Sequence, residues 1–181
     1  MIAKPDVGGA IRGALLTADP AAKVMAARRV ARDWRLGRLV FAFDAPLPDR
    51  PARPSEPELL PPNRMPKRGK GGSQRARIAL WHALAHIEFS AIDLALDAAG
   101  RFGAARGPDF VSDWLKVAAD EAMHFALIDR HLNRLGSRYG ALPVAPDALV
   151  TSRYRTAGKV CAPLAVMRAV PLPTNTKTLM D

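Results

Sequence analysis

The sequence predicts an all-α fold on three observations: start and stop signals bracket several segments, apolar residues recur within them at helical spacing, and neither strand alternation nor hairpin turn pairs occur. At 181 residues, 49% apolar and 24% charged, the chain can bury the core of one globular domain. Its single cysteine, Cys161, excludes an internal disulfide and a thiolate metal cluster, and points to a reducing, cytoplasmic setting. No stretch is expected to have the length of a membrane span, and the N-terminus lacks an apolar segment with a cleavage site, so no membrane partner is expected.

In chain order, residues 1–45 read as an N-terminal helical region. A short helix is expected around Ile11 to Thr17. Asp19-Pro20 then offers a cap and a first-turn proline, and Gly37 closes a helix whose Val24, Ala27, Ala31 and Trp34 share one face. Residues 46–72 form a proline-rich basic linker: eight of the sixteen prolines lie between Pro46 and Pro66. From Arg50 to Arg77 eight basic residues face Glu56 and Glu58, a net +6 within a chain of net charge +10. Within it, Lys67, Arg68 and Lys70 are candidates for anion contact, although the run lacks P-loop spacing and aromatics for base stacking. Residues 73–143 read as a long helix hairpin. Ser73 caps a helix expected to reach Gly100, Pro108-Asp109 opens another that Gly136 ends, and 100–107 makes the turn. Residues 144–181 read as an irregular tail.

Each long helix carries a carboxylate in its apolar stripe. Phe110, Trp114, Val117, Phe125, Ile128, Leu132 and Leu135 all project within about 40° of Glu121, and His124 about 60° to one side. Trp81, Leu84, Ile92, Ala95 and Ala99 likewise surround Glu88, whereas His82, His86, Asp93 and Asp97 project at least about 120° away and are expected to face out. Around a turn centred near Ala104, Glu88 and Glu121 are sixteen and seventeen residues out and meet at one height. Two facing carboxylates in an apolar layer need a proton, a basic partner or a cation, and neither inner face offers Lys or Arg. A metal ion held by Glu88, Glu121 and His124 is therefore expected. Oxygen ligands with one imidazole suit iron or manganese, with zinc a further option, and Glu from one helix with Glu-x-x-His from its neighbour is half of a di-iron carboxylate site. His86 and Asp120 are candidates to orient these ligands. His131 is expected to pack.

The segments Ala83-Leu-Ala-His-Ile-Glu-Phe-Ser-Ala-Ile-Asp-Leu-Ala-Leu-Asp97, Ala119-Asp-Glu-Ala-Met-His124 and Leu60-Pro-Pro-Asn-Arg-Met-Pro-Lys-Arg-Gly-Lys70 resemble a bacterial ferritin-like family, the domain-of-unknown-function family 455. The resemblance spans roughly 10–143 and implies a ferritin-like bundle with a di-metal centre, distantly akin to di-iron tRNA hydroxylases. A complete ferritin-like site takes a second Glu and a second Glu-x-x-His, yet no Glu follows Leu135. The basic tail, interrupted by Pro163, Pro171 and Pro173, is what a truncated or frame-altered C-terminal part would look like. The bundle is thus expected to be incomplete. Three functions follow: a di-iron type oxidoreductase or hydroxylase whose site a homodimer completes, a basic RNA-binding protein, or an inactive fragment.

Overall fold

The computed structural model describes residues 4–66 and 72–146, and within them four α-helices carry the fold: α1 (Val7–Leu15), α2 (Pro20–Arg35), α3 (Gln74–Arg106) and α4 (Pro108–Arg134). No strand occurs among the described residues, only isolated parallel bridges between Asp6 and Val40 and between Leu59 and Val144. The fold is all-α, as the periodicity predicts.

Local chemistry sets most helix ends. Asp6, Asp19 and Ser73 cap α1, α2 and α3, each side chain accepting a backbone N–H three residues on, at 2.6, 2.8 and 3.2 Å. Such caps satisfy amides that a first helical turn leaves without an intrahelical partner. Pro20 and Pro108 occupy first turns, and Gly37 and Gly136 follow α2 and α4 at φ 63° and 76°, where a side chain would be strained. The first helix starts at Val7, four residues before the expected Ile11, because Asp6 provides a cap the pattern overlooked.

Gly100 does not end α3. The helix continues to Arg106, and Gly107 alone, at φ 91°, turns the chain into α4. Gly100 and Gly103 serve close approach instead: a Cβ on Gly100 would lie 2.5 Å from Leu47, and one on Gly103 would lie 2.6 Å from Phe43 and 2.7 Å from Val111. Those two glycines let α4 and the loop before α3 pack onto the helix backbone.

Helices α3 and α4 form an antiparallel hairpin whose register is read from Trp81 against His131 (ring centroids 4.6 Å apart) and Phe89 against Phe125 (5.3 Å). Helix α2 lies against α4, and α1 against α2 and α3. Phe89, Ile92, Leu96, Leu115, Phe125 and Leu132 build the core with Ile11, Leu15 and Ala27. The extended stretch after α2 is tied at several points: Val7 and Gly8 donate to Val40 and Ala42, Ala52 donates to Leu15, and Leu60 donates to Val144. Hydrogen bonds of this kind hold a proline-rich segment that cannot form a ladder of its own.

One stretch of α3 reaches the length and mean hydropathy, 1.2, at which a helix could cross a membrane, contrary to expectation. Half of that window is buried inside the bundle, and α3 is the helix on which α1, α4 and the chain segments all pack, so its apolar run matches a central core helix.

Candidate metal centre

Glu88 on α3 and Glu121 and His124 on α4 come together, each offering one ligand atom, with all three atoms within 4.8 Å of one another. The His124 Nδ1 lies 3.3 Å from Glu121 Oε2 and 3.8 Å from Glu88 Oε2. One helical turn separates Glu121 from His124, so both project to the same side of α4. The expected turn geometry was wrong, since Glu88 stands nineteen residues before Gly107 and Glu121 fourteen after it. The two still meet: aromatic register, rather than the midpoint of a loop, sets the alignment, and two long side chains span the remaining offset.

The trio does not sit at the centre of a buried stripe. Its side chains are 22%, 13% and 29% exposed for Glu88, Glu121 and His124, which puts them along one open edge of the α3–α4 contact. On α4 the buried stripe is Val111, Leu115, Ala118, Ala122, Phe125, Ile128 and Leu132, centred about 60° round from Glu121. The shift arises because α2 packs against α4 and covers the flank that a two-helix picture leaves to solvent. Burial, then the hydrogen bond and negative charge of Glu121, push the Glu88 carboxyl up to about 8. A cation in place of that proton would offset the charge of both carboxylates, and two carboxylates with an imidazole are a donor set that fits a hard or borderline metal ion.

His82, His86, Asp93 and Asp97, expected outside, are all buried. Long-range partners account for His82, His86 and Asp93, and a neighbour one turn on for Asp97. The Nε2 of His82 accepts the Gly140 and Leu142 N–H groups at 2.9 and 3.4 Å, so burial and these bonds hold the ring neutral, its pKa pushed down to about 4 by desolvation and by nearby His86. His86 Nδ1 lies 2.9 Å from the Tyr139 hydroxyl, and its ring stacks on Tyr139. It projects about 160° away from Glu88 and belongs to this other face of α3. Asp93 pairs with Lys23 at 2.5 Å and with Arg53 at 3.2 Å, and Asp97 with Arg101 at 2.7 Å. Sequence periodicity missed this layer, though two acids one turn apart, Asp93 and Asp97, within an otherwise apolar stretch were its available signal.

Asp120 lines a groove between α2 and α4 rather than the carboxylate cluster. His131 packs on Trp81, as expected. Lys67, Arg68, Lys70 and Cys161 lie outside the described residues.

The sequence profile of the protein of unknown function family DUF455 matches residues 16–171, well over half of the chain. The chain belongs to that family. The DUF455 match runs through most of 144–181, the segment whose composition set it apart. An "Uncharacterized protein" of Haemophilus influenzae is 46% identical over 95 residues, covering 49% of this DUF455 chain and 33% of the relative, so the chain spans about a third of that relative's length. No solved structure matches this chain.

Proposed function

We propose that this chain is a ferritin-like, carboxylate-type metal-binding protein in which Glu88, Glu121 and His124 hold an ion, with iron the first choice and manganese or zinc as alternatives. The observation that carries the reading is the convergence of three donor atoms from two helices within 4.8 Å. Its chemical logic is that of half a di-iron carboxylate site: one Glu from α3, and Glu-x-x-His from α4. Once bound, iron would supply redox chemistry, which makes an oxidoreductase or hydroxylase the activity class. The chain's own residues would position and neutralise. Glu88 would release its proton to solvent as its carboxylate takes the ion, Glu121 would supply the second negative charge, and His124 would offer a nitrogen from the open side.

The site is open along one edge, where Ile87 and Leu127 are 54% and 39% exposed beside Glu88 and His124. A second copy seated there would supply a second Glu and a second Glu-x-x-His, which is the homodimer that completes the ligand set. Elemental analysis of the purified protein beside Glu88→Ala and Glu121→Ala tests both parts, with mass measured on the same samples by light scattering. Near-stoichiometric metal in the parent, lost in both variants, is expected in a particle of twice the chain mass. Metal content that neither substitution changes removes the metal reading, and full metal content in a monomer removes only the dimer.

A further inference from the structure

The groove between α2 and α4 measures about 1060 Å³ and is walled by Arg28, Arg29, Arg32 and Arg35 from one helix and by Lys116 and Asp120 from the other. All five cations are exposed. Arg28 with Arg32 stand at i and i+4, and Arg32 with Arg35 at i and i+3, spacings at which like charges repel along a helix. Asp33 offsets part of this by pairing with Arg32 and Arg38 at 3.1 and 3.2 Å, but it does not line the groove. Lys116 adds a fifth positive charge from the facing wall, so the lining carries five positive charges against the single Asp120. Concentrating one sign in a concave site raises the local concentration of anions.

The row of arginines runs about 10 Å along α2, longer than one phosphate and suited to a chain of them. Aromatic surface adjoins it. Trp34 lines the groove and donates its indole N–H to Ser112 at 2.9 Å, which holds the ring in place. Beside it stands Phe41, 43% exposed, with ring centroids 6.3 Å apart, and Phe43 braces Phe41 edge-on at 5.4 Å. A braced, exposed phenyl ring at the end of a basic groove combines the two elements of single-strand recognition, a charged track and a stacking platform. An anionic bilayer would use the charges but has no use for a concave wall, and an acidic peptide has no call on the stacking ring.

We infer that the α2–α4 groove binds a single-stranded nucleic acid, with its backbone along Arg28, Arg32 and Arg35 and a base against Phe41. This surface is separate from the proline-rich basic segment and from the carboxylate cluster, and the inference does not rest on the metal reading. Fluorescence anisotropy of the full chain with a short labelled mixed-sequence RNA, and with DNA of the same sequence, tests it over a salt series. Arg28→Gln/Arg32→Gln should lower the affinity about ten-fold or more and reduce the slope of log affinity against log salt by about 1.4, close to 0.7 for each lost phosphate contact. Phe41→Ala should cost about five-fold or more with the slope unchanged. Thermal unfolding confirms that each variant is folded; the replaced arginines are exposed and glutamine is a good helix former. Parental affinity in both variants overturns the inference. So does binding lost only on replacing Lys67, Arg68 and Lys70, or binding to phosphatidylserine vesicles with none to RNA or DNA.

Discussion

Glu88 is the residue whose environment departs furthest from that of a free side chain near the candidate centre. In metal-free protein its carboxyl holds a proton up to about 8, against an ordinary value of 4.5, so between those values the folded form binds the proton more tightly than the unfolded chain. Its contribution to stability is present below 4.5 and is lost as pH rises through 8. His82 acts in the opposite sense. Its folded value of about 4 lies below the ordinary 6.5, so its contribution is present above 6.5 and is lost as pH falls through 4. The two trends oppose one another between 4.5 and 6.5, and of these two only that of Glu88 continues above 6.5. Glu88 therefore lowers the midpoint of thermal unfolding of metal-free protein as pH rises from 6.5 to 8. Glu88→Gln is expected to remove that part of the decline, while the buried Lys23 and Asp93 act alike in both proteins. A decline of the same size in the variant would assign it to another group.

At the scale of elements, glycines in the same helical context have opposite roles. Gly13 in α1 has nothing within 4 Å of a Cβ built upon it, whereas Gly103 in α3 has Phe43 at 2.6 Å and Val111 at 2.7 Å. Replacing Gly by Ala in a helix gains about 0.5–1 kcal/mol where space allows. Overpacking a filled site costs about 1–3 kcal/mol. Gly13→Ala is thus expected to stabilise and Gly103→Ala to destabilise by about 1–2 kcal/mol net, read from denaturant midpoints at constant m. Equal shifts for the two would mean that the loop carrying Phe43 yields without cost. Helix ends were legible in sequence because caps are local: Asp19-Pro20, Ser73 and Pro108 each act within one turn. Gly100 was misread as a stop because its role is to admit Leu47, a residue fifty-three positions away.

Across the whole molecule, the buried Lys23–Asp93–Arg53 group ties α2, the proline-rich stretch and α3 together. Burial outweighs pairing for both central partners, pushing the Lys23 ammonium down and the Asp93 carboxyl up. Breaking a buried pair leaves a stranded charge and costs about 3–5 kcal/mol, whereas replacing both partners with apolar residues is often near neutral. Lys23→Met is expected to cost about 2–3 kcal/mol, less than that range because Arg53 remains on Asp93, and Lys23→Met/Asp93→Leu to recover much of it in a double-mutant cycle. Additive losses in the double variant would show that the pair is not coupled. By itself the sequence determined the all-α class, most helix ends and the pairing of Glu88 with Glu121 and His124 across one hairpin. These follow from local caps, from a period of 3.6 residues and from the i, i+3 spacing, all of which act within a few residues. Only the tertiary structure decided which faces are buried. Periodicity sees one apolar stripe per helix, but α3 is covered on two sides, on one by α4 and on the other by Lys23, Arg53 and Tyr139, which lie far away in sequence. That long-range cover turned His82, His86, Asp93 and Asp97 inward and left Glu88, Glu121 and His124 at an open edge.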